Sequence, residues 1–152
     1  MNSVYNRGKY IVGTADMTQS SGFRMMLLST AYVGNMDHNT VDDGTTSDPL
    51  SYEIGVGGYA RANVTFSAFE DDTNEFAGLD TADKTFSALA AGATIGHAVI
   101  YRYSTSGGTT SDTGQDLLLW YELTATPTNG GDITIQIAST SAGAALKLGT
   151  TS

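Results

Sequence analysis

Side chains able to do chemistry are few in this sequence, and they do not converge. The two histidines stand in unlike settings: His38 lies among Asp37, Asp42 and Asp43, whereas His97 directly precedes an apolar run. A serine hydrolase would need one of them beside an Asp and an exposed Ser, yet no Gly-x-Ser-x-Gly elbow occurs. Cysteine is absent, which excludes disulfides, thiolate metal sites and thiol nucleophiles together. Gly57-Gly58-Tyr59-Ala60-Arg61 has neither a Walker lysine nor a following helix, so it reads as a strand interrupted by a bulge or a close backbone approach, not a phosphate cradle. These readings predict no catalytic residue and no cofactor.

Two acidic groups could offer ligands to a cation. Asp37, His38, Asp42 and Asp43 form one, and Asp71, Asp72, Asn74 and Glu75 the other. Neither has the Asp-x-Asp-x-Asp-Gly spacing of a calcium loop, so both read as solvated turn residues and strand gatekeepers, and no metal is expected. A hard-cation site at a subunit junction is the sharper alternative. Residues able to bind another chain are easier to find. Eight tyrosines and one tryptophan exceed what a small core needs, and both types favour protein interfaces. The candidates are Tyr5, Arg7, Lys9, Tyr10, Trp120 and Tyr121, although Trp120 falls in the most apolar run and reads first as core.

The elements that must position these residues are mostly strands. Ile133, Ile135 and Ile137 alternate with Thr134 and Gln136, and Val64, Phe66 and Ala68 alternate with Asn63, Thr65 and Ser67, the period-2 pattern of half-buried strands. Residues 98–103 set Val99, Tyr101 and Tyr103 on one face against Ala98, Ile100 and Arg102. Residues 117–123 (Leu-Leu-Leu-Trp-Tyr-Glu-Leu) are apolar on both faces and call for a second covering, read as a neighbouring subunit. Residues 10–12 and 52–56 are further strand candidates. Residues 23–32 are another, although Phe23-Arg24-Met25-Met26-Leu27-Leu28 could equally begin a helix. One or two helical turns are plausible within residues 80–92, where Thr85-Phe86-Ser87 would serve a strand as well.

Composition bounds the rest. One domain fits 152 residues, and the sequence predicts an all-β, single-domain β-sandwich or jelly roll with at most one short helix. An extended arm over residues 1–9 precedes a domain over residues 10–152; the arm either reaches a neighbour or frays. The loops at residues 42–48 and 104–113 are expected to be mobile tips. Net charge is −9, with seven Lys and Arg scattered singly, so no basic stripe is available for nucleic acid. No run approaches a membrane span, Met1 to Arg7 lacks the apolar core of a signal peptide, and the missing cysteines fit synthesis in a reducing cytosol.

In order along the chain, several segments resemble small virion structural proteins encoded among the head and tail genes of tailed bacteriophages. They are Tyr5-Asn6-Arg7-Gly8-Lys9-Tyr10, Gly58-Tyr59-Ala60-Arg61, Ala82-Asp83-Lys84-Thr85-Phe86, residues 98–103, residues 117–123, and Thr128-Asn129-Gly130-Gly131-Asp132-Ile133-Thr134-Ile135. The resemblance implies a capsid decoration (cement) protein or a related head or tail accessory protein. Such a protein would have a jelly-roll-like fold, often assemble as a trimer, and bind a major capsid protein or another virion protein on the capsid surface. The alternative is a tail or head-fibre module that binds a receptor or carbohydrate. The Met-rich residues 23–32 and the long loop at residues 104–113 depart from the pattern, and no catalytic residue belongs to it.

Overall fold

Two long neighbouring strands organise the chain, β7 (Thr94–Arg102) and β8 (Asp116–Pro127), which pair antiparallel. The computed structural model describes residues 2–12, 22–72, 76–103, 111–137 and 146–148. On the far side of β7 lie β2 (Phe23–Ser29) and β3 (Ala62–Val64); β1 (Asn2–Val4) closes the other edge along β8. The five-stranded order is β1-β8-β7-β2-β3. A three-stranded sheet orders β10 (Leu146–Leu148), β5 (Phe76–Asp80) and β4 (Ser67–Asp71), and β6 (Lys84–Phe86) pairs with β9 (Ile133–Ile135). Every pairing is antiparallel, and α1 (Asn6–Val12) is the single α-helix among the described residues. The fold is an all-β single domain, as the sequence predicts.

Period-2 geometry explains why the central strands are apolar throughout. Met25 and Leu27 of β2 and Ala98 and Ile100 of β7 point into one core, shared with Leu79, Phe86 and Ile135 of the smaller sheets. Met26, Leu28, Val99, Tyr101 and Leu117 point the other way, into a second core completed by Tyr5, Tyr32 and Val41. Burial on both faces settles residues 23–29 as strand despite their helix-forming residues, because each fully buried Leu or Met gains about 1.5–3 kcal/mol that a helix at this position would forfeit. The face that a sandwich would cover with one second sheet is covered here by two small ones.

The second face of the central sheet is covered by the chain itself. Tyr32, Met36, Val41, Leu50 and Tyr52, from the connection between β2 and β3, lie over it. The neighbouring subunit inferred from residues 117–123 is therefore not required: the missing layer lies some eighty positions upstream, where sequence periodicity does not reach.

Four further expectations are corrected. The extended arm expected over residues 1–9 is not seen among the described residues, since β1 joins the sheet through Asn2↔Tyr121 to Val4↔Leu119 and α1 follows at once. The strand expected at residues 10–12 is the end of that helix. Residues 52–56 form no strand: a 3₁₀ turn, Pro49–Tyr52, is capped by the Asp48 side chain, and only Glu53 makes a bridge, to Leu28. The loop at residues 42–48 is pinned rather than loose, with Asp42 Oδ1 accepting from the Gly44 amide and Asp43 Oδ1 from the Thr45 amide. Residues 104–110 of the other expected tip lie outside the described residues. Within residues 80–92 the strand alternative holds, as β6.

Candidate functional site

Helix α1 lies against β8 because Gly8 lets it. A Cβ at Gly8 would stand 2.4 Å from the Leu118 carbonyl oxygen, so no larger residue fits this approach. Leu118 is the extra residue where β8 shifts register against β7, between the pairs Tyr101↔Leu117 and Ile100↔Leu119, and its carbonyl accepts from the Tyr5 amide. The helix so seated carries Arg7 to the start of β8. There Arg7 Nε donates to Asp116 Oδ1 at 2.8 Å, and Arg102 Nη2, across the ladder from Asp116, donates to Oδ2 at 2.9 Å. The carboxylate is buried, while the two arginine side chains remain 38% and 39% exposed. The hydrogen bond to Asp116 pushes the Arg7 pKa further up.

Of the six residues expected to bind a partner, the structure places three on one surface helix. Arg7, Lys9 and Tyr10 share α1; Tyr10 is 61% exposed and its ring centroid lies 5.1 Å from the Arg7 guanidinium carbon. Tyr5 and Tyr121 are corrections, because both are buried in the chain's own cores. The Tyr5 hydroxyl pairs with that of Tyr32 at 2.8 Å, and burial, reinforced by Tyr32, pushes its pKa up. Trp120 is half-buried and donates its indole N–H to His97 Nδ1 at 3.2 Å. One side of its ring meets His97, and Gly34 packs so close that a Cβ there would stand 2.5 Å from the ring. A ring covered in this way makes a poor stacking platform for a sugar. Sequence reasoning missed Arg102 and Asp116, although pairing the expected strands at residues 98–103 and 117–123 as a hairpin would have put their flanking residues side by side.

A second charged cluster is fully matched. Arg61 donates Nε and Nη2 to Glu53, at 2.7 and 2.6 Å, and Nη1 and Nη2 to Asp112, at 2.5 and 3.1 Å. Tyr59 donates its hydroxyl to Glu53 and accepts from the Leu27 amide. Burial disfavours the Arg61 charge, but the hydrogen bonds to both carboxylates outweigh it and raise the pKa. Gly58, at φ +83° and with a Cβ position 2.5 Å from the Ala88 carbonyl oxygen, makes the close backbone approach expected at that step, but in a turn before β3 and not within the strand expected there.

In the first acidic group the side chains turn to separate partners. His38 is buried with Nδ1 against Asp43, and Asp37 accepts from the Asn6 side chain. Residues 73–75 of the other group lie outside the described residues, and among the described residues no set of three His, Asp or Glu could hold a metal ion. No described helix is long and apolar enough to cross a membrane. A shallow cleft of about 280 Å³ is walled by Ile95, by Leu123, Thr124 and Thr126 of β8, and by residues 133–136. It contains no titratable group. No protein-family model, curated protein or solved structure matches the chain.

Proposed function

We propose that the chain is a non-enzymatic virion structural protein of a tailed bacteriophage, most simply a capsid decoration (cement) protein that binds and stabilises an assembled protein shell. The resemblance of its ordered segments supports the virion assignment. The observation that favours display over catalysis is that the groups able to do chemistry are held in fixed pairs. Arg61 is matched by Glu53 and Asp112, Asp116 by Arg7 and Arg102, His97 by Trp120, and His38 by Asp43. Catalytic groups need a convergent, reachable arrangement, and these are braces between strands and loops.

The homotrimer belongs to the same proposal. It rests on the resemblance alone, because the chain itself covers both faces of β8 from Leu117 to Tyr121, and the large exposed apolar residues among those described are Tyr10 and Val33. Single-particle imaging of native particles tests the assignment. Density for this β domain on the outer surface of the shell, at local threefold positions, is the expected result, and purified particles devoid of the chain would refute it.

A further inference from the structure

We infer that Arg7 and Arg102, held by Asp116 and with Tyr10 beside Arg7, form a docking surface for an acidic segment of a protein partner. The inference begins with charge. One guanidinium balances a buried carboxylate, and here two half-exposed ones share it. The surface holds two cations against one carboxylate, on a chain whose net charge is −9. The Arg61 cluster has the opposite balance, one cation against two carboxylates, and offers no such surface.

Geometry adds to charge. Among the described residues each of these guanidiniums spends one N–H on Asp116, and an arginine has five. The buried Asp116 carboxylate anchors both guanidiniums, so an incoming Asp or Glu side chain meets donors already restrained, which reduces the entropy lost on binding. The Tyr10 ring beside Arg7 supplies an exposed aromatic next to the charge, the composition of an interface anchor. The inference stands apart from the virion reading, since any protein partner bearing an acidic segment would dock in the same way.

The test titrates the full chain at low ionic strength with a labelled hexaglutamate peptide, with hexalysine and with inorganic phosphate, following fluorescence anisotropy and arginine side-chain NMR signals. Hexaglutamate should bind and shift the Arg7 and Arg102 signals. Arg7→Gln or Arg102→Gln should weaken it by at least about tenfold, the loss of one charge-assisted contact, whereas Lys84→Gln, on the separate β6–β9 pair, should leave it unchanged. Asp116→Asn removes the competing charge while its amide oxygen can still hold a guanidinium, so it should tighten binding, an effect that a merely structural role does not produce; Arg102→Gln decides alone if that variant does not fold. Absence of hexaglutamate binding, equal binding by Arg102→Gln, equal binding of hexalysine, or phosphate binding as tight as the peptide would each overturn the inference.

Discussion

The α-carbon of Gly8 is seated on the backbone of Leu118, so that an added methyl group would stand 2.4 Å from the Leu118 carbonyl oxygen. Alanine is preferred over glycine inside a helix by about 1 kcal/mol, so local propensity alone favours Gly8→Ala. The clash is with backbone and cannot rotate away, and overpacking of this kind costs about 1–3 kcal/mol. Gly8→Ala should therefore destabilise the fold in urea unfolding, while Gly114→Ala, whose Cβ meets nothing within 4 Å, should be near neutral. Removing residues 1–9 should be worse, since it strips β1 from the sheet and Tyr5 from the core. A folded deletion variant of unchanged midpoint would show that this seat carries no weight.

Arg61→Met removes the one cation shared by Glu53 and Asp112. Side-chain exposures of 15–23% leave these groups little water, so two half-buried carboxylates without a cation, one of them still held by Tyr59, should cost about 3 kcal/mol, the low end for broken buried pairs. Adding Glu53→Gln should recover part of that loss. A change below about 0.5 kcal/mol, the range of ordinary surface substitutions, would place the cluster among the weak surface pairs.

At high pH the tyrosines should set the limit of stability. Burial raises the pKa values of Tyr5, Tyr32, Tyr59, Tyr101 and Tyr121. An unfolded phenol loses its proton near pH 10, whereas these keep theirs when folded. Their stabilising contribution is thus full below about pH 10 and is lost as the pH rises beyond it, by about 1.4 kcal/mol per pH unit for each. Ultraviolet titration should show their phenolate absorbance appearing only with unfolding; smooth ionisation of all eight near pH 10 in folded protein would contradict this burial pattern.

On the acid side, burial lowers the pKa of His97. The unfolded imidazole takes up a proton near pH 6.5 and the folded one resists, so the contribution is full above about pH 6.5 and is lost as the pH falls through the folded value. Because Nδ1 accepts from Trp120, the neutral ring carries its proton on Nε2. Nitrogen NMR should find this tautomer persisting below pH 6.5, with Trp120 fluorescence changing as the ring finally protonates. A His97 titrating at its ordinary value, with no response from Trp120, would contradict the pairing.

How far the fold could be read from sequence followed the range of its causes. β7, β8 and β9 were legible because alternation, or apolarity on both faces, is written into consecutive residues such as Val99 to Tyr101. The run Val64, Phe66, Ala68 looked continuous, yet the chain changes sheets between Val64 and Ser67, a break with no local signal. Residues 6–12 carry little helical periodicity, and their helix depends on the seat of Gly8 at Leu118. The cover over Leu117 and Val99 comes from Tyr32 to Tyr52, and only the tertiary structure links the two. At the candidate surface, Arg7 and Tyr10 are visible as exposed-type residues, whereas Arg102 and Asp116 join them through strand register and the pairing of residues 109 positions apart.

Co-sedimentation of the purified full chain with assembled phage shells stripped of it tests the proposed function most directly. The account predicts saturable pelleting with the shells at a fixed ratio, three copies per local threefold position, and greater resistance of the loaded shells to heat. A chain that stays in the supernatant at micromolar concentration, and leaves the shells no more stable, would contradict it.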